Sequence, residues 1–344
     1  MRPDPAIVDR AHGALMGMAI GDALGMPAQT LTVDQIQAHY GQITDFVAPF
    51  DDHPVSHGLL AGQVTDDTEQ TLLLARRLIS GHGRIDEADL ARDLLDWEAD
   101  VKARGLRDLL GPSSKAALDA MLSGVSITQT GRNGTTNGAA MRIAPVGIAF
   151  GVEDISHFVD QVELACRLTH NTGEAIAAAS AVAAVISCGL EGRSFEAALP
   201  VALCCAEEGQ LRGYAVGEAG MAARIADALS AAKHCESAAE LAARTGTSVA
   251  SHESVAAAFG LVRLAEGNPW KAALMAANIG DDTDTIGAIS CAMAGACAGL
   301  AAFPSHAIET INTANTLGLE AVARGLLELR DAVDLAPELK EASR

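Results

Sequence analysis

Four glycines, Gly13, Gly17, Gly21 and Gly25, recur at every fourth position near the start of the chain. On a helix this spacing sets them in one row along one face. Each glycine destabilises an isolated helix by about 1 kcal/mol relative to alanine, so a row of four implies a compensating contact. A second helix whose backbone packs against the bare row supplies one. The segment after Thr285 carries the matching ladder: Gly287, Gly295 and Gly299 keep the four-residue spacing, with Cys291 at the step between. The pairing predicts two helices, drawn from opposite ends of the sequence, in contact at its centre.

The remaining pattern is helical as well. Hydrophobic residues make up 49% of the chain but aromatics only 3%, and the apolar content is mainly Ala, Leu, Ile and Val, which favours closely packed helices. Asp4-Pro5 reads as a cap and first turn. Helix-stop signals, basic residues followed by Gly81, close a helix that starts after Thr65. Further helices are predicted near 86–98, 113–122, 154–169, 173–188, 194–207, 217–230, 252–265, 269–279, 305–315 and 318–332, with breaks at Gly, Pro, Asn or Ser. Residues 41–64 form a long loop, and residues 128–138 a loop rich in Gly, Thr and Asn. Period-two alternation is confined to a weak run at residues 43–47. The expected fold is all-α, a single compact helical domain over residues 1–344.

Charge and cysteine content narrow the function. The formal net charge is −20, from 44 acidic and 24 basic residues, which argues against DNA or RNA as a partner. Seven cysteines without a CxxC pair suggest neither a zinc site nor a disulfide framework. With no signal-peptide layout at Met1-Arg2-Pro3-Asp4, a cytoplasmic location is expected. The charge-free run 286–303 is long enough to tempt a membrane assignment, but its Ala and Gly content and lack of basic flanks predict a buried core helix. No membrane partner is expected.

That run directly follows Gly280-Asp281-Asp282-Thr283-Asp284-Thr285, three carboxylates and two hydroxyls in five consecutive positions. Two carboxylates about 4 Å apart repel by about 4 kcal/mol at an effective dielectric of about 20. Protonation, exposure to water or a bound cation would each relieve this. Thr65-Asp66-Asp67 is a second such cluster. Taken alone it reads as a helix cap, with Asp66 and Glu69 in capping-box spacing. Two clusters of the same style support a shared cation site, and oxygen-only donors favour a hard ion, Mg²⁺ or Mn²⁺, over zinc. Thr136-Asn137-Gly138-Ala139-Ala140-Met141-Arg142 is a loop entering a helix, whose free amides can cradle an anion or sugar hydroxyls; Arg142 could pair with a phosphate or with a structural carboxylate, and the structural role is the expected one. His170-Asn171 ends a helix, and Gly111-Pro112-Ser113-Ser114 opens one.

Together these segments resemble the ADP-ribosylglycohydrolase family. Gly21-Asp22-Ala23-Leu24-Gly25 is similar to its opening signature, Thr65-Asp66-Asp67-Thr68 to its first metal motif, Asn137 to Arg142 and Thr169-His170 to its middle motifs, and Asp282-Thr283-Asp284-Thr285-Ile286-Gly287 to its second metal motif. The match runs in order over roughly residues 10–330. The resemblance implies an all-α fold with a binuclear Mg²⁺ site that cleaves ribosyl bonds. Thr65, Asp66 and Asp67 would bind metal from one side, and Asp282, Asp284 and Thr285 from the other. Asn137, Gly138 and His170 would face the sugar or phosphates, and Asp22 would support the site from behind; apart from the resemblance, the helix entry at Gly111 and Ser113 offers amides that could also face a ligand. Asp66 and Asp67 are the residues expected to position or deprotonate the attacking water.

Two positions depart from the family pattern. Gln29 stands where many members carry a glutamate near the metals, and an amide cannot serve as a general base; it can hold a sugar hydroxyl. Asp281 stands where the family often has glycine. The expected activity is metal-dependent hydrolysis of the N-glycosidic bond of an ADP-ribosylated side chain or ADP-ribose derivative. A hydrolase acting on a small ribosyl compound such as a nucleoside stays open, as does a non-catalytic ADP-ribose binder, since the family includes a lens crystallin.

Overall fold

Asp4 accepts the Ala6 amide hydrogen and Pro5 occupies the first turn, so the opening helix begins where capping chemistry places it and runs Pro5–Gly25. Its glycine row faces the helix Thr283–Ala298 in antiparallel register. A Cβ on Gly13 would sit 2.7 Å from the Gly295 carbonyl oxygen, and one on Gly25 would sit 2.5 Å from Asp284 Cα; Gly17 and Gly21 meet the backbone of Cys291 and Gly287 as closely. Cys291 therefore takes the expected step in the ladder. These two helices form the most extensive helix–helix contact in the fold, at its centre.

The computed structural model describes residues 4–106 and 110–341, with side chains as far as Arg330. The described residues form eighteen α-helices and two short 3-10 turns, with no strand. One continuous apolar core extends from Val8 to Leu327, and a smaller cluster fills the space around Leu94, Trp97 and Leu118. The helix Gly173–Leu190 is apolar and long enough to cross a membrane, yet every residue of it is buried inside the protein. It packs on the helices Phe195–Gln210 and Thr283–Ala298 as a core element.

Differences from the predicted elements have local causes. The charge-free run 286–303 is not one helix: Gly299, at φ 82°, ends it, and Leu300–Ala302 forms a 3-10 turn. Residues 43–47 form no strand. Ile43 instead pairs its backbone N–H and C=O with the side-chain amide of Asn278, which stands in for a strand partner. The helix Val33–Tyr40 lacks an apolar stripe, with only Ile36 buried, but its Thr32–Gln35 capping box is legible in the sequence. Ala238–Thr245 and the short Ala144–Ala149 are further helices outside the predicted set.

Candidate functional site

The opening helix holds both acidic clusters. Asp22, fully buried, accepts hydrogen bonds from the backbone N–H and hydroxyl of Thr65 (2.9 and 2.8 Å) and of Thr68 (3.2 and 2.6 Å). These bonds fix the start of the helix Asp66–Ser80. One turn on, Gly25 lets the backbone of Thr283 and Asp284 approach, and Thr283 Oγ1 donates to the Gly25 carbonyl at 2.8 Å. Two adjacent turns of one helix thus bring residues 65–67 and 282–285 together.

The capping alternative fails for both clusters. Thr65 and Asp282 occupy the N-cap positions, but neither makes a side-chain capping bond. The Thr65 hydroxyl is engaged with Asp22, and Glu69 binds Trp97 and Arg104 instead of closing a capping box. Thr65 and Thr285 hydroxyls each stand 3.4 Å from Asp67 Oδ2. Asp67 Oδ1 and Asp284 Oδ1 are buried with no hydrogen-bond partner. Burial, reinforced by the neighbouring carboxylates, pushes Asp66, Asp67 and Asp284 well above the usual carboxylate range. Burial also pushes Asp22 up to about 6, against the pull of its four donors, and Asp282 up to about 7, against the Asn137 hydrogen bond.

Buried carboxylate oxygens without partners are the feature a cation satisfies, and the all-oxygen donor set suits a hard one. Among the described residues no three His, Cys, Asp or Glu side chains are drawn together as a finished ligand group. The donors are instead carboxylates interleaved with threonine hydroxyls.

A cavity of about 160 Å³ opens beside them, lined in part by Asp66, Asp282, Asp284 and Thr285. Typical ligand pockets span about 300–1,000 Å³, so the enclosed space suits a sugar-sized group, with any larger remainder extending outward. Gln29, Gly111, Asn137 and Gly138 also line it, as their motifs predict. Other expected residues do not reach it directly. Thr65 and Asp67 lie behind the wall, almost fully buried. His170 is fully buried and faces Thr136. Ser113 is replaced on the lining by Ser114, and its own hydroxyl accepts the Thr136 N–H at 3.4 Å. Asn137 directs its amide hydrogens to Ser254 and Asp282, so it orients a carboxylate. Arg142 makes no ion pair to a described carboxylate; its partners are Gln70 and Thr169, and its buried Nε has none.

Thr30 lines the cavity from outside every motif legible in the sequence, while Thr136 and Ser114 line it from within motifs whose expected contacts were their neighbours. Thr30 (φ 65°) and Asp281 (φ 62°) both sit in the left-handed region, unusual for non-glycine residues and most of all for a β-branched one. They brace each other: Thr30 N–H donates to the Asp281 carbonyl at 2.7 Å and Asp281 N–H to the Leu31 carbonyl at 2.8 Å. The brace fixes Gln29 and Asp282, the neighbours of those two residues. Asp281 itself is exposed and absent from the cavity lining.

The amide orientation of Gln29 follows from its partners. The Ser56 hydroxyl donates to the Met26 carbonyl at 2.9 Å, so the Gln29 atom 2.8 Å from Ser56 Oγ must be the donating nitrogen. The amide oxygen remains available to a ligand. A carboxylate at position 29 would compete with Met26 for the single Ser56 hydrogen. Gln29→Glu is therefore expected to lower the unfolding free energy by about 1–3 kcal/mol, and Ser56→Ala in that background to restore part of it, as read by urea denaturation. Equal stability of Gln29→Glu and wild type would show that the wiring does not matter.

The family model described as ADP-ribosylglycohydrolase matches residues 3–336. The chain is 35% identical over 326 residues to the uncharacterized protein YegU of Escherichia coli (strain K12), covering 94% of this chain and 97% of that one. It is 27% identical over 347 residues to the ADP-ribosylarginine hydrolase Tri1 of Pseudomonas putida (strain GB-1), covering 97% and 82%. A solved ADP-ribosylglycohydrolase-related protein complex contains a chain with a TM-score of 0.67 and 25% identity, covering 94% of this chain and 98% of that one.

Proposed function

This chain belongs to the ADP-ribosylglycohydrolase family, and from that premise we propose that it is a Mg²⁺-dependent hydrolase of the N-glycosidic bond joining ADP-ribose to a modified side chain. The observation that carries the reading is the pair of helix-start acidic clusters that do not cap their helices and leave two buried carboxylate oxygens without partners. Asp66, Asp67, Asp282 and Asp284, with the hydroxyls of Thr65 and Thr285, would hold the ions. Bound there, Mg²⁺ supplies positive charge that offsets the carboxylates and orients ribose hydroxyls.

The chain's own groups do the rest. Asp66 lines the cavity, whereas Asp67 is sealed behind it. Asp66 would take the proton of a water attacking the anomeric carbon and pass it to the leaving nitrogen as the carbon–nitrogen bond breaks. The buried carboxylates favour the oxocarbenium character of the transition state. Gln29 accepts a hydrogen bond from a ribose hydroxyl, and Asn137 holds Asp282 in place.

The Tri1 relative carries the name of an ADP-ribosylarginine hydrolase, so arginine-linked ADP-ribose is the first substrate to try. ADP-ribosyl-serine peptide and free nucleosides complete the panel. Release of ADP-ribose that needs added Mg²⁺ and is lost in Asp66→Ala supports the proposal; undiminished turnover in a chelator-stripped sample refutes it. The sugar-sized cavity and the amide at position 29 favour the second reading, a hydrolase of a small ribosyl compound, for which nucleosides would be the better substrates. All seven cysteines are free, which supports a reducing compartment such as the cytoplasm.

A further inference from the structure

Arg142 is a buried cation with no ion pair to a described carboxylate, and its chemistry orders the protons around it. An arginine donates from every polar atom and accepts at none. Its Nη2 donates to Thr169 Oγ1 at 2.6 Å. That oxygen has one further partner, His170 Nδ1, at 2.7 Å, and both residues are 0% exposed. The Thr169 hydroxyl hydrogen therefore goes to Nδ1. The reverse arrangement, with Nδ1–H donating, would bury a hydroxyl hydrogen without an acceptor, which is costly. Burial and the Arg142 charge both disfavour a second proton on the ring. The single ring hydrogen thus lies on Nε2, 3.0 Å from Thr136 Oγ1, and is donated there. Thr136 keeps its own hydroxyl hydrogen, and Thr136 lines the cavity.

We infer that Arg142 is a positioning residue: acting through Thr169 and His170, it sets the proton order that makes the Thr136 hydroxyl a committed hydrogen-bond donor to an oxygen acceptor of the bound ligand. The same logic applies on its other side. Nη1 donates to Gln70 Oε1 at 3.3 Å, which turns the Gln70 amide nitrogen toward Asp66 Oδ2 at 3.4 Å. One buried guanidinium thereby dictates which end of each neighbouring polar group faces the site. The identity of the ligand rests on the proposed function; the proton order does not.

The test is ¹⁵N NMR of the full-length protein labelled at histidine, with the His170 signals identified by their loss in His170→Gln. At about pH 7.5, where an unperturbed ring is already mostly neutral, wild-type His170 is expected to show hydrogen on Nε2 and a bare Nδ1. Thr169→Val is expected to shift both nitrogens toward a mixed tautomer, and Thr169→Ser to keep the wild-type pattern. Hydrogen on Nδ1, or a doubly protonated ring, in the wild type overturns the inference. So does a Thr169→Val spectrum identical to wild type. In calorimetric titration with ADP-ribose as probe, Thr136→Val is expected to weaken binding about tenfold and Thr136→Ser to retain it. Wild-type affinity in Thr136→Val overturns the last link. A wild type that does not bind ADP-ribose at all refutes the proposed function, while the histidine spectrum still decides the proton order.

Discussion

Gly21→Ala lowers the unfolding free energy by about 4 kcal/mol or more, beyond the range of ordinary single substitutions. The added Cβ would lie closer than 3.0 Å to the carbonyl oxygen and carbon of Gly287, where about 3.5–4.0 Å is normal. Both obstructing atoms are backbone within a helix, so no rotamer change relieves the overlap. Alanine's helix propensity would return only about 1 kcal/mol, and the overlap outweighs it. The damage reaches the site, because separating the two helices displaces Asp284 from the start of the Asp66 helix. Gly111→Ala is the control: its Cβ would meet nothing within 4 Å, and a change within about 0.5 kcal/mol is expected. Equal urea midpoints for Gly21→Ala and wild type would sink the argument.

Asp284→Asn has two opposite effects. Without metal it stabilises the protein at neutral pH, and in the enzyme assay it abolishes Mg²⁺-dependent turnover, by more than about a hundredfold. The first effect follows from linkage. The carboxylates of Asp22, Asp66, Asp67, Asp282 and Asp284 hold their protons to higher pH in the folded protein than in the unfolded chain. Between the ordinary aspartate value of about 4 and the folded values, about 6 for Asp22 and about 7 for Asp282, the folded state binds more protons. Metal-free stability therefore falls as pH rises through that window. An amide at 284 removes one charge from the group and so a share of that loss. Mg²⁺, bound as proposed, would reverse the trend, since protons compete with it for the same oxygens. Differential scanning calorimetry at pH values on either side of the window, with chelator and with Mg²⁺, measures both. A metal-free wild type that gains stability toward alkaline pH, or an Asp284→Asn enzyme with full turnover, contradicts this account.

Much of the site was legible because its residues occur in runs. The Thr65-Asp66-Asp67 and Asp282-Thr283-Asp284-Thr285 clusters, the Asn137-Gly138 loop and Gly111 are each visible as local composition. Ser114 escaped because its neighbour Ser113 has the same chemistry, and only the direction in which each side chain points separates them. Thr136 was quoted as the start of its motif but not as a ligand contact, because nothing separates it from Thr135 beside it until His170 is placed behind it. Ser56 lies 27 residues from the glutamine it orients, with no spacing to link them. For Arg142 a carboxylate partner was the ordinary expectation for a buried arginine; two neutral partners, Gln70 and Thr169, took its place.

The sequence by itself determined the helical class and the central pairing. Helical periodicity and the four-residue glycine spacing are properties of a single chain segment, and only a close backbone neighbour makes such a row tolerable. It also determined which residues were rich enough in oxygen donors to be worth bringing together. The tertiary structure alone decided what those donors do. Whether Thr65 caps a helix or binds Asp22, and whether Asp67 faces the cavity or lies behind it, depend on partners tens to hundreds of residues away. Local propensity cannot encode those choices. They follow from burial, which leaves each polar group only the partners that the fold places within reach.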